Sequence, residues 1–293
     1  MKWKNRGIRG ILMIAFFALI LAPGKPARAQ TPDQVEKSIA NLPPAQRAWE
    51  RFRSWISALP PEQHQPDKVE ALYRTYLKSR GFSASDIDAQ LKLVDEQGTR
   101  LEAERWNRIL TAEKPQFNTN PNVFLVDIAS DRKPGSALDV GMGQGRNSIW
   151  LAQHGWDVTG FDPAEKAVAL AQENARKLGV NLKTEIKTME DFDFGESRWD
   201  LILLSYVGAR GLTEKVQRAL KPGGVVVIEA FHRDATKNAS IGGAVVFDSG
   251  ELPSLFPKLR QVRYEEPVAD ADFGAGKVRV VRYCGEQPAP RPK

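Results

Sequence analysis

Asp139-Val140-Gly141-Met142-Gly143-Gln144-Gly145 is the stretch on which the reading of this chain turns. It follows a short buried strand pattern, Ala137-Leu138-Asp139-Val140, and precedes a helical one. Glycines at such a junction let the backbone turn sharply and approach a ligand that side chains would hold off. The spacing is G-x-G-x-G, and Arg146 stands where a dinucleotide fingerprint would place its third glycine. Further on, Asp162 closes a second strand pattern in Gly160-Phe161-Asp162-Pro163. A carboxylate at that position can accept hydrogen bonds from both hydroxyls of a ribose. Its other reading is a turn or helix N-cap residue, since Pro163 follows.

Outward from this motif, strand and helix patterns alternate, the mark of a parallel sheet covered by helices on both faces. Between Ala164 and Leu178 the apolar positions 164, 167, 168, 171, 175 and 178 form one helical face, closed by Gly179. Further strands are expected over Leu182–Lys187, Asp200–Leu204 and Val225–Ile228, the last entered through Lys221-Pro222-Gly223-Gly224. Val262–Glu266 and Lys277–Cys284, separated by a turn-rich link, read as a hairpin that adds an antiparallel strand to the sheet.

The run from Ala137 to Asp162, together with Leu220-Lys221-Pro222-Gly223-Gly224, resembles the class I S-adenosylmethionine (SAM)-dependent methyltransferases. Within them it is most similar to the small-molecule group that includes tellurite-resistance and thiopurine-type enzymes. The resemblance spans residues 113–284. It implies an α/β fold with a Rossmann-like, doubly wound, seven-stranded sheet, and SAM as methyl donor. It also implies roles: Asp139 supports the glycine loop and reaches the methionine amino group, Gly141, Gly143 and Gly145 shape the loop, and Asp162 holds the ribose. In Thr188-Met189-Glu190-Asp191-Phe192, Met189 and Glu190 stand where adenine contacts are expected, and Thr188 replaces an acid common in the family. Met142 replaces the Cys or Ser often found there. Trp106, Phe117 and Asn120-Pro121-Asn122 precede the first strand, where relatives place a lid over the cofactor; core or turn is their other reading.

Methyl transfer from a sulfonium needs positioning above all, because the donor brings its own leaving group. A general base helps only when the acceptor must lose a proton. Tyr206 and His232 lie just past strands four and five, where open sheets bind substrate, and are the catalytic candidates. The chain has Leu204-Ser205-Tyr206-Val207 in place of an Asn/Asp-Pro-Pro-aromatic segment, and no Pro-Cys pair. Both absences speak against base methylation in nucleic acids and for a small-molecule acceptor of O- or S-methylation. A protein or peptide acceptor, or SAM binding without turnover, are the alternatives.

Residues 31–112 read as a small helical domain with helices marked by Trp49, Phe52, Trp55 and Ile56, by Val69, Tyr73 and Leu77, by Ile87, Leu91 and Val94, and by Leu101, Trp106 and Leu110. Residues 285–293 read as a proline-rich disordered tail. The formal charge of +6 is concentrated at the start: six of the 42 basic residues and none of the 36 acidic ones lie in residues 1–29. The remainder is neutral and lacks the basic field that steers proteins onto polyanions. His64, His154 and His232 have no metal-ligand spacing, and the single cysteine, Cys284, excludes an intramolecular disulfide; no metal is expected. Residues 1–29 have the plan of a secretory signal peptide, with a basic start, an apolar run from Ile11 to Ala22 and the small-x-small site Ala27-Arg28-Ala29. The mature domain at residues 30–112 and the catalytic domain at 113–284 are then expected outside the cytoplasm, without a stable membrane span; an uncleaved anchor is the alternative. Intact mass of the protein from its native host should give Gln30 as the first residue, and retention of residues 1–29 would contradict cleavage.

Overall fold

The computed structural model describes residues 31–60, 63, 68–237, 241, 243–274 and 276–289. The expected leader lies outside these residues. The sheet is built from β1 (Ser136–Val140), β2 (Asp157–Asp162), β3 (Lys183–Ile186), β4 (Trp199–Ser205), β5 (Leu220–His232), β6 (Val246–Phe247), β7 (Arg260–Glu265), β8 (Val268–Asp270) and β9 (Lys277–Glu286). Its continuous order is β3-β2-β1-β4-β5-β9-β7. The first five strands are parallel, and β9 enters antiparallel between β5 and β7. The expected hairpin partners therefore do pair. Among the described residues the sheet has nine strands rather than seven, because β6 adds to β5 and β8 to β9. Strands of two and three residues are too short to leave a periodic trace.

Alternation along the central strands explains why both faces are covered. Leu201, Leu203, Val225 and Val227 join one core with Phe124, Leu125 and Leu151. Ile202, Leu204, Val226 and Ile228 point the other way, into a core with Phe192, Phe194 and Phe256. Strands buried on both sides read as continuous apolar runs, which is how these appear in the sequence.

Before the sheet come α1 (Pro32–Ile39), α2 (Pro44–Ala58), α3 (Val69–Ser79), α4 (Ala84–Leu110) and α5 (Val123–Ser130). The two helices expected between Ile87 and Leu110 are one helix of 27 residues, α4. Its start is fixed by Ser83, whose hydroxyl accepts from the Asp86 N–H while the Asp86 carboxylate accepts from the Ser83 N–H. Gly98 is the sole interruption, and one glycine costs a helix only about 1 kcal/mol. The first two-thirds of α4 pack with Trp49, Phe52, Ile56, Tyr73 and Leu77. Its last turn joins a different cluster, with Trp106 and Leu110 against Ala164, Ala167 and Tyr206. One helix thus ties the helical layer to the carboxyl ends of the strands. The remaining helices are α6 (Arg146–Gln153), α7 (Glu165–Lys177), α8 (Thr213–Ala219) and α9 (Glu251–Leu255).

The first residues of the expected tail are paired to the sheet. Gly285 and Glu286 belong to β9, and Gln287 exchanges backbone hydrogen bonds with Gly223 and Gly224, because the edge of β5 offers them partners. Cys284 is a buried small side chain in that strand, its thiol pushed up to about 11 chiefly by burial.

Candidate cofactor site

At the carboxyl end of β1 the chain turns back on itself. The N–H groups of Gly141 and Met142 both donate to the Phe161 carbonyl, at 3.0 and 3.1 Å, which locks the glycine loop to the end of β2. Gly143 sits at φ +56°, in the left-handed region that a side chain would strain. A Cβ on Gly145 would stand 2.8 Å from that of Ala171, so this third glycine lets α6 and α7 pack closely. Gly160 leaves room for Met142, whose sulfur occupies the space a Cβ there would need.

Asp162 is the other half of this floor. Its Oδ2 accepts from the Gly143 N–H at 3.0 Å and its Oδ1 from the Ala164 N–H at 2.8 Å. It therefore holds the turn that leads into α7 and lines the cavity at once. Asp139 lies beneath, 1% exposed, and accepts from the Ser148 hydroxyl at 2.6 Å. It ties the end of β1 to Ser148 of α6 and does not line the cavity. Burial is the main cause that raises both carboxyls to about 6, against the hydrogen bonds they accept.

The cleft opens to solvent and, with its mouth included, spans about 780 Å³. Gly141, Gly143, Asp162 and Met189 line it, with Thr188 and Phe161 beside them, while Gly145 and Glu190 stand back from it. Facing the loop is a wall of Trp106, Leu110, Phe117 and Phe273. Phe117 and Phe273 stack at 5.5 Å between centroids, and Trp106 meets Phe273 edge-on at 6.5 Å. Of the residues read as lid, core or turn, Trp106 and Phe117 line the cleft and Asn120, Pro121 and Asn122 do not. Phe273, Arg146, Ser205 and Gln144 were not anticipated as lining residues. Phe273 comes from the turn-rich link before β9, which carries no motif of its own.

Neither catalytic candidate lines the cleft. Tyr206 is fully buried; its hydroxyl donates to Glu229 Oε1 at 2.8 Å and accepts from the Asp272 N–H at 3.2 Å. Burial and then the Glu229 charge push this phenol well above its ordinary range. His232 pairs in register with Phe247 of β6. Its Nδ1 accepts from the Asp234 N–H at 3.0 Å and its Nε2 is 3.0 Å from the Ser249 hydroxyl. Both side chains end the expected strands, but each is turned into the protein by partners the sequence did not announce.

Residues 137–224 match the family profile described as a methyltransferase domain. Over 152 residues the chain is 26% identical to a probable S-adenosyl-L-methionine-dependent methyltransferase, TehB, of Haemophilus influenzae strain 10810. Residues 137–224 are thus a methyltransferase domain, and the chain is similar to SAM-dependent methyltransferases such as TehB. A ubiquinone biosynthesis O-methyltransferase of Paramagnetospirillum magneticum is 35% identical over 103 residues, covering 33% of this chain and 41% of that protein. The TehB match covers 50% of this chain, and the chain spans about half the length of that relative, 53%. A solved structure described as "Conversion of a Disulfide Bond into a Thioacetal Group during Echinomycin Biosynthesis" superposes with a TM-score of 0.53 at 19% identity, over 64% of this chain and 93% of that one. At that identity the likeness is one of fold.

The methyltransferase cleft fits SAM on its own chemistry. Asp162 presents a carboxylate beside a loop kept free of side chains by Gly141 and Gly143. Two buried polar atoms there have no hydrogen-bond partner among the described residues, Gln144 Nε2 in the lining and Glu190 Oε1 behind it. A buried orphan donor and acceptor are costly unless a ligand meets them. No cluster able to hold a metal occurs among the described residues.

The raised carboxyls give a pH test. Their folded values lie above the unfolded one, so the stability they contribute is full below about pH 4 and is lost as pH rises through about 6. A ribose prefers the ionised Asp162, so SAM affinity should fall as pH drops through about 6. Titration calorimetry between pH 5 and 8 checks this; an affinity flat across that range, or an Asp162→Asn variant that keeps the same dependence, would contradict it.

Proposed function

We propose that this protein transfers the methyl group of SAM to a small-molecule acceptor, at oxygen or sulfur. The observation that carries the reading is the two-sided cleft, with a nucleoside-binding floor ending in Asp162 and an aromatic wall of Trp106, Phe117 and Phe273 opposite. Bound SAM supplies a methyl on a sulfonium with its leaving group attached. The chain's part is to hold the nucleoside, present the acceptor in line and keep water out. The apolar wall suits an acceptor with an apolar body. Arg146 is already engaged by Asp272, Ser205 and the Asn120 carbonyl, so it offers no open charge to an anionic acceptor.

Apart from Asp162, no carboxylate, imidazole or phenol among the described residues lines the cleft. Tyr206 and His232, the candidates for proton transfer, have protein partners instead. This favours a sulfur acceptor, because a thiol is partly ionised near neutral pH and a hydroxyl is not. It also keeps the second reading alive, a domain that binds SAM without turnover. A neutral mature chain without base-methylation motifs supports a small molecule over nucleic acid, and the leader sequence supports export. We further read residues 30–112 as a helical layer added to a catalytic unit at 113–284.

Calorimetry should show one SAM site, weakened by Asp162→Ala about 10- to 100-fold, as loss of a charged hydrogen-bond acceptor predicts. Radiolabelled SAM offered with thiols, phenols, chalcogen oxyanions, peptides and RNA should label a small acceptor, thiols first. Label in RNA or peptide alone would contradict the proposal. SAM binding with nothing labelled would replace it by the binding-only reading.

A further inference from the structure

Asp272 lies between the cofactor loop and the aromatic wall, and all of its polar groups are used. Its Oδ1 accepts from Asn118 Nδ2 at 2.8 Å, and its Oδ2 accepts from Asn122 Nδ2 at 2.7 Å and from Arg146 Nη2 at 2.6 Å. Its carbonyl accepts from the Asn118 N–H at 2.7 Å, and its own N–H donates to the Tyr206 hydroxyl. Arg146 is the first residue of α6, directly after the glycine loop, and its Nη1 donates to the Asn120 carbonyl at 2.7 Å. Two segments far apart in sequence, 117–122 and 271–273, are thereby fastened together and to the loop. A bridge between Phe117 and Phe273 completes the join.

We propose that Asp272 is a positioning residue, which holds the Phe117–Phe273 roof closed over the cofactor loop through its ion pair with Arg146. This rests on the cofactor reading above, and adds to it what sets the roof in place. The pair is almost dry, with side-chain exposures of 8% for Arg146 and 5% for Asp272. In such surroundings an ion pair is screened little by salt, and its direction is fixed by the hydrogen bonds around it. Charge is balanced locally. Glu229 shares the Asn122 amide with Asp272 and is itself met by Arg282 at 2.6 Å, so two carboxylates face two guanidiniums. Removing the Asp272 charge leaves Arg146 buried without its counter-ion, and Arg146 must then shift, taking the start of α6 and the roof segments with it. A second tie, the Asn122 N–H donating to Asn147 Oδ1 at 2.8 Å, is neutral and keeps the segment attached. The expected result is therefore a loosened roof on a folded protein. A ligand bound on the loop leaves by way of the roof, so the roof governs how fast it escapes.

Asp272→Asn keeps the shape and removes the charge; Phe273→Ala keeps the charge and removes the wall. Two readouts are used, amide hydrogen exchange over residues 117–122 and stopped-flow release of SAM. Asp272→Asn should speed both about tenfold, the order expected for one lost charge-assisted hydrogen bond. Phe273→Ala should speed release alone. Arg132→Ala, which breaks the 2.9 Å pair with Glu286, should move neither. Unchanged exchange in folded Asp272→Asn overturns the proposal, as does wild-type release from Phe273→Ala if Asp272→Asn does not fold. Wild-type protein that binds no SAM would sink the cofactor reading, and the exchange comparison would still decide the roof.

Discussion

The carboxylate of Asp162 is the point on which the cofactor side of this structure depends. It closes the glycine loop through the Gly143 N–H and holds the turn into α7 through the Ala164 N–H, and it does so at the buried end of β2, against the cleft. Without it the loop would keep its backbone bonds to Phe161 but lose its side-chain tie to the turn that leads into α7. Burying an acid at this place is unfavourable, as its raised pKa shows, and that cost is what a ribose can offset. On the proposed function, the group that organises the site is also the one that a nucleoside would contact.

The helical layer has a part in the same site. Leu110, at the end of α4, sits over Gly143, where a Cβ would come within 3.3 Å of it. Asn107 Oδ1, one turn earlier, accepts from the Lys166 N–H at 2.8 Å and so satisfies a second orphan donor at the start of α7. Trp106 donates from its indole N–H to the buried Glu102 at 2.9 Å, which fixes the ring on the cleft. These contacts make the end of α4 a wall of the cofactor site. A separate recruiting module would not need them.

Much of this was legible in the sequence because it is local. Gly141 to Gly145 and Asp162 announce themselves by spacing within one βαβ unit, and the paired strands β7 and β9 as two strand patterns on either side of a turn-rich link. What could not be read is set by contacts across long stretches of chain. Tyr206 and His232 were placed at the right strand ends, but Glu229 and Ser249 decide where their polar atoms point. Phe273 and Asp272 come from a link that looks like a turn, and become a roof only when β8 and β9 bring them to Phe117 and Asn118. The apolar marks at Ile87–Val94 and Leu101–Leu110 read as two helices, and packing against two different clusters joins them into the single long α4.

The most direct test of the account is a crystal structure of the protein grown with S-adenosylhomocysteine. The account predicts both ribose hydroxyls on the Asp162 carboxylate, the adenine beside Met189, and the sulfur facing the wall of Trp106, Phe117 and Phe273. A nucleoside bound elsewhere, or in this cleft with its ribose turned away from Asp162, would contradict it.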